Sequence, residues 1–370
     1  MVTQKRAWTR LGLVLAAGVV ATSLAACSSS SNPPKASTSP KPGGTHSSTP
    51  LVGGSLTLGY FPNLTHGSAI VGVQKGYFKS ALAKDGASFK TALFTSGSDT
   101  LSALAGGSLD ASFMGPAPAI TAFAQSHGNL VRVISGATEG GASLMVNKSI
   151  TSIADLKGKT IATPSAGNTQ DVALKYFLKQ HGFHESSDGT GDVTIVNQDN
   201  GTTLQTFAQG QIDGAWVPEP YATQMEAAGA KRLVNESSLW PKGKFVTTVL
   251  VVRTAYMQQN PQLVNDLLTG QVQANDYINQ NSTAAEKVVG DWLDSYNQST
   301  IPQAALNTAW SNLKFTDDPI ANSFIANEKH EVAIGLLDPV SNLGSIFDLD
   351  PLNKILTANN EPTVAGPSVQ

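Results

Sequence analysis

The sequence predicts an α/β protein of two lobes, each carrying a parallel sheet of like topology. Three observations predict this. A segment from Leu101 to Met114 returns from Leu204 to Val217, an offset of 103 residues. The order strand–helix–strand–helix–strand can be read once before each copy ends. A long apolar run then follows the second copy, at Thr247 to Val252.

The repeat is specific in register. Both copies carry Leu, Ala and Gly, then an aliphatic–Asp pair (Leu109-Asp110, Ile212-Asp213), then an aromatic–aliphatic pair (Phe113-Met114, Trp216-Val217). Leu56 to Tyr60 reads as a strand, followed by a helical pattern that ends at Gly76. Phe89 to Phe94 is the next strand. In the second copy the matching strands are Thr160 to Thr163 and Val193 to Val196, with a helix between them ending at Gly182. Agreement in order and position points to two lobes of like topology. Ala142 to Val146 and Thr247 to Val252 are the expected crossings between lobes. Lobe 1 is therefore placed at 55–146 plus 247–360, with lobe 2 inserted at 149–244. Beyond 252 the pattern is helical: Leu263, Val264, Leu267 and Leu268 share one face after Pro261, and Ala284 to Tyr296 forms another helix.

The first residues read as an address. Lys5, Arg6 and Arg10 precede an apolar run from Leu11 to Ala26, the pattern of a secretory signal over 1–26. The run is short for a membrane span of about 20 residues. It ends in Leu24-Ala25-Ala26-Cys27, which resembles the bacterial lipoprotein cleavage box, so Cys27 is the expected lipidation site. Residues 27–54 are mostly Ser, Thr, Pro, Gly, Lys and Asn, the composition of a disordered tether. Together these predict a protein held by lipid on the extracytoplasmic face of the cell membrane; for a bilobed protein that must open and close, a monomer is the default.

Composition excludes several classes. Net charge is −3 and only 14% of residues are charged, which gives no basic surface for nucleic acid. Cys27 is the sole cysteine, so an internal disulfide framework, a Cys-rich zinc site and an iron–sulfur cluster are excluded. No cofactor is expected. Gly158-Lys159-Thr160 resembles the end of a phosphate loop, but Ile153 stands where its first Gly is required. His330-Glu331 opens a zincin-like run that fails at Ile334.

Ligands of open parallel sheets bind at the carboxyl ends of strands, where helix N-termini favour anions. Four loops meet that condition: Phe61 to Gly67, with Asn63 and His66; Gly115-Pro116-Ala117-Pro118; Thr163 to Asp171, with Gly167, Asn168, Thr169 and Gln170; and Trp216 to Tyr221, with Glu219. A Gly-rich turn, Ser135 to Ala142, adds Thr138 and Gly140. Each has a plain structural reading beside the functional one. Asn168 and Thr169 fit a helix cap, Gly115-Pro116 a turn into a helix, His66 a helix start and Trp216 the core. Asp110 and Asp213 are read as strand-start residues without a ligand role. Glu219 follows an apolar strand, so its carboxylate needs either a Lys or Arg partner or a ligand amine.

Leu58 to His66, Gly106 to Asp110, Gly115 to Pro118, Gly167 to Leu174 and Trp216 to Pro220 together resemble the aliphatic-sulfonate/taurine/nitrate family of ABC-transporter substrate-binding proteins. The resemblance runs from about Ser55 to Leu356. It implies a bilobed periplasmic-binding-protein-like fold of type II, no enzyme activity, and partnership with permease subunits. It implies a small anionic or zwitterionic ligand, an alkanesulfonate or taurine first. Its head would meet the amides near Gly167, Asn168 and Thr169, the Asn63 side chain and the Gly115 turn. Tyr60, Phe61, Trp216 and Tyr221 would wall the aliphatic part, while Gln170 and Glu219 would read the far end. Nitrate, bicarbonate or a thiamine-precursor pyrimidine are the alternative ligands. A ligand-sensing surface domain is an alternative role. The pyrimidine-synthesising enzymes of this fold resemble a Cys-dependent type, which a chain with Cys27 alone does not match.

Overall fold

The computed structural model describes residues 53–368. The signal segment, Cys27 and the tether up to residue 52 lie outside the described residues.

The chain first runs β1 (Ser55–Tyr60), α1 (Gly67–Gln74), α2 (Tyr77–Ala83), β2 (Ser88–Leu93), α3 (Gly97–Ala105), β3 (Ala111–Met114), α4 (Pro116–Gln125) and β4 (Val131–Gly140). A second sheet then takes β5 (Ala142–Val146), β6 (Lys159–Thr163), α5 (Thr169–Gln180), β7 (Glu185–Ser186), β8 (Val193–Asn197), α6 (Asn200–Ala208), β9 (Gly214–Pro218), α7 (Tyr221–Ala227) and β10 (Lys231–Asn235). The return comprises β11 (Val246–Arg253), α8 (Thr254–Gln259), α9 (Pro261–Gln280), α10 (Ser282–Asn297), α11 (Gln303–Ser311), β12 (Leu313–Phe315), α12 (Ala321–Ala333) and α13 (Asp350–Ala358).

Both sheets have six strands, in the orders β12-β4-β11-β3-β1-β2 and β10-β5-β9-β6-β8-β7. The repeat is real in three dimensions. Leu58 pairs with Ala111 in the first sheet, and Ile161 with Gly214, each 103 residues on, in the second. The repeated aspartates explain the motif. The Asp110 carboxylate accepts from the Thr57 N–H at 2.9 Å, and Asp213 from the Thr160 N–H at 2.9 Å. Each Asp thus stitches the entrance of one parallel strand to its neighbour, the strand-start role read from the sequence. Arg253 and Lys159 pair with the same two carboxylates.

Two expectations need correction. The sheets are mixed rather than parallel throughout. β1, β2 and β3 run parallel, as do β6, β8 and β9, but β11 and β5 enter antiparallel beside them. Ala142–Val146, expected with the first lobe, pairs with β9 and β10 in the second sheet. Gly140 and Gly141, both at positive φ (82° and 77°), re-aim the chain between β4 and β5. An apolar strand buried on both faces looks the same in either sheet, so composition does not assign it. The tail ends where the sequence predicts, near residue 360, and its helices α8 to α13 enclose the short strand β12.

Both faces of each sheet are covered. Leu250 and Val252 point into a core with Phe78, Phe113 and helix α9, while Val249 and Val251 face α4 and α12 through Ile120 and Phe324. This two-sided burial is why β11 reads as an unbroken apolar run. In the second sheet Trp216 packs on Phe177 of α5, and Ala215 and Val217 pack towards α6 and α7. No helix among the described residues is long and apolar enough to cross a membrane.

Candidate functional site

The carboxyl ends of six strands deliver their loops to one cleft of about 200 Å³. β1 supplies Phe61, Pro62, Asn63, Thr65 and His66. β2 supplies Thr95 and Gly97, and β3 supplies Gly115 and Pro118. From the second sheet, β6 brings Ser165, Asn168, Thr169 and Gln170. β8 brings Asp199, Asn200 and Gly201, and β9 brings Pro218 and Tyr221. Thr247 and Thr248 of β11, with Tyr296 and Asn297 from the end of α10, complete the lining.

The two lobes meet at the cleft floor. The Ala117 N–H at the start of α4 donates to Thr169 Oγ1 at the start of α5, 3.4 Å away. Gly115 permits this approach: a Cβ there would stand 2.3 Å from Thr169 Oγ1. Asn168 caps α5, its Oδ1 accepting from the Asp171 N–H at 2.8 Å. Capping and cleft lining are therefore one role, since the cap holds the helix terminus in the site. Asp171 is buried behind it and accepts from Thr163, Gly167 and Asn197 while pairing with Lys175.

Donors rather than cations furnish this end. His66 accepts the Phe61 N–H at Nδ1, 3.2 Å away, and stacks on the Phe61 ring. Burial pushes its imidazole down to about 3, so the ring is neutral at pH 7 with its proton on Nε2. Asn63 Oδ1 accepts from the Thr65 hydroxyl, which leaves the amide nitrogen as the donor for a ligand. Thr248 Oγ1 is buried in the lining without a hydrogen-bond partner among the described residues. An unmade bond to a buried hydroxyl costs about 1–3 kcal/mol. Among the described residues no Lys or Arg lines the cleft, and the N-termini of α3, α4, α5 and α6 converge on it. That combination attracts an anion through dipoles and N–H groups.

At the other end stands Asp199, which caps α6. Burial opposes its ionisation, but bonds from the Thr202 hydroxyl, the Thr202 N–H and the Gly201 N–H outweigh this and hold it below the usual carboxylate range. Burial first, then the nearby Asp199 and Tyr296, push the Tyr221 phenol up to about 12.

Of the residues read from the sequence, Phe61, Asn63, His66, Gly115, Asn168, Thr169, Gln170 and Tyr221 line the cleft. Seven do not. Tyr60 is core, its ring 5.6 Å from Trp292. Pro116 is the buried first residue of α4. Thr138 donates to the Thr65 carbonyl at 2.6 Å, and the Gly140 carbonyl accepts from Thr247. Gly167 borders a neighbouring groove. Trp216 is core, donating its indole N–H to Glu236 at 2.7 Å. Glu219 is buried and satisfied: Arg232, Asn312 and the Thr223 N–H all donate to it. Of its two readings, the protein-partner one holds and the ligand-amine one does not.

Sequence reasoning missed the β2 and β8 ends, Thr247, Thr248, Tyr296 and Asn297. The first two follow from the same strand-end rule that gave the other loops. Thr248 lies inside an antiparallel strand, where no such rule applies.

Two mixed α/β lobes with a donor-lined cleft between their strand ends are the architecture of the periplasmic binding proteins. The chain belongs to the NMT1-like family, whose model matches residues 53–292. It is 29% identical over 181 residues to the taurine-binding periplasmic protein of Escherichia coli, covering 49% of this chain and 54% of that one. The alkanesulfonate-binding protein of Xanthomonas axonopodis pv. citri, solved with MOPS, shares its fold at a TM-score of 0.65 and 19% identity, over 80% of this chain and 98% of that one. The periplasmic nitrate-binding protein of Synechocystis PCC 6803 superposes at 0.70 with 15% identity, over 83% and 89% of the two chains.

Proposed function

We propose that this protein is the lipid-anchored binding component of an ABC importer, tethered through Cys27, that captures a small sulfonate by lobe closure and hands it to a permease. The observation that carries this reading is the unpartnered Thr248 hydroxyl in a cleft whose anion-attracting groups are all uncharged donors. A sulfonate offers three oxygens to such donors. Each charge-assisted bond contributes about 1.5–3 kcal/mol. Thr169, Asn168 and Gln170 approach the head from one lobe, with Asn63, His66 and Thr248 from the other. Phe61 borders the aliphatic part. Closure about the β4–β5 and β10–β11 connections is a hinge transition of common type.

A thermal-shift screen tests the reading. The panel is ethanesulfonate, longer alkanesulfonates, taurine, nitrate, bicarbonate and a thiamine-precursor pyrimidine. Ligand at about 100 times its dissociation constant stabilises by about 2.7 kcal/mol, a midpoint rise on the order of 5 °C. A rise with a sulfonate is the expected result. A rise with nitrate or the pyrimidine alone assigns the cleft to another ligand.

A further inference from the structure

A second cavity, of about 260 Å³, lies along the later turns of α5. α5 supplies Tyr176 and Phe177, the β10–β11 connection supplies Glu236 and Trp240, and α12 supplies His330. None of these residues lines the cleft. The cavity sits where the two lobes and one of their connections meet.

Its walls are aromatic. The His330 ring is stacked on Tyr176, with centroids 3.8 Å apart and planes 12° from parallel, and its centroid is 5.2 Å from that of Trp240. Two of the rings are braced from outside the cavity. Trp240 is stacked on Phe245 at 5.8 Å, and Phe177 meets Trp216 edge-on at 5.6 Å. Burial pushes the His330 imidazole down to about 4, so it is neutral at pH 7. Among the described residues no Lys or Arg lines the cavity.

A carboxyl lies beneath these rings. Glu236 lines the cavity and is 1% exposed. Its Oε2 accepts from Trp216 Nε1 at 2.7 Å and its Oε1 from Trp240 Nε1 at 3.4 Å. Both donors are uncharged, and a carboxylate has about four acceptor positions, so acceptor capacity remains. Burial pushes the carboxyl up to about 7, against the two indole bonds that favour the ion. A cation in the cavity supplies a counter-charge to this group, and the negative ring faces attract the same species. Ring faces accept few hydrogen bonds. They therefore suit a cation whose nitrogen carries methyl groups rather than N–H.

We propose that this cavity is a second ligand site, for a small methylated ammonium ion, held against Trp240 and Tyr176 with its charge met by Glu236. The site stands apart from the ligand class of the cleft.

The test is calorimetric titration of the purified full chain, at about pH 8, with choline and with 3,3-dimethylbutanol. The alcohol has the same shape, with carbon in place of the charged nitrogen. Choline is expected to bind saturably and at least about tenfold more tightly than the alcohol, a difference of about 1.4 kcal/mol. Glu236→Gln removes the charge and keeps the shape, and is expected to bring the two ligands within about threefold of each other. Gln also leaves one indole N–H without its oxygen, so Tyr176→Leu is the second variant. It removes one wall and leaves both Glu236 bonds in place. It is expected to weaken choline about fivefold with an unchanged melting temperature. Equal affinity for the alcohol overturns the cation. The absence of saturable heat with choline overturns the site. Undiminished choline affinity in Tyr176→Leu overturns the placement, whatever Glu236→Gln does.

Discussion

Replacing Glu219 by alanine is expected to lower the unfolding free energy by about 3 kcal/mol, the cost of removing one partner of a buried, hydrogen-bonded charge pair. Glu219 is fully buried. Its Oε1 accepts from Arg232 Nη2 at 3.3 Å and from Asn312 Nδ2 at 2.8 Å, and its Oε2 from the Thr223 N–H at 3.1 Å. Arg232 keeps a second partner in Glu226 at 3.3 Å, which places the effect at the lower end of the range for such pairs. Asn312 adjoins β12 of the first sheet, while Glu219 follows β9 of the second, so the carboxylate also ties the lobes together. Glu219→Gln retains one acceptor and is expected to cost about half as much. Urea denaturation reads both variants. Neither is expected to change the ratio of aminosulfonate to sulfonate affinity. A selective loss of aminosulfonate affinity in Glu219→Gln would restore the ligand-amine reading of Glu219.

Gly115→Ala is expected to weaken sulfonate binding about thirtyfold, roughly 2 kcal/mol, while the chain stays folded. Gly115 has φ −70°, which alanine adopts without strain. The damage is at the lobe junction. The new methyl would stand 2.3 Å from Thr169 Oγ1, closer than van der Waals contact allows, so the starts of α4 and α5 must separate. Both helix termini then lose their convergence on the anion. Circular dichroism should be unchanged while calorimetry records the loss. Adding Thr169→Ala to Gly115→Ala relieves the clash and is expected to recover part of the affinity. No recovery would show that the Thr169 hydroxyl matters more as a ligand donor than its contact with Gly115.

The sequence carried the architecture because that architecture is repeated. The strand pairings Leu58–Ala111 and Ile161–Gly214, and the aspartates that stitch them, keep the same spacing in both lobes. A pattern that local geometry demands twice is legible without a structure. Loops at strand ends were legible for the same reason, and those after β1, β3, β6 and β9 all reach the cleft. What stayed hidden depends on distant partners. Nothing near Glu219 announces Arg232 on β10 or Asn312 beyond α11. Trp216 could have been cleft or core until Glu236 was placed against its indole. Thr248 and Tyr296 enter the site only because β11 and α10 return to the first lobe after the inserted one. Ala142–Val146 could join either sheet until the turn at Gly140 and Gly141 directed it.

The most direct test of the central claim is calorimetric titration of the full chain with sulfonates. The proposed function predicts saturable binding at one site per chain, because one cleft gathers the donors of both lobes. A folded chain that shows no saturable heat with any alkane- or aminoalkanesulfonate would contradict it.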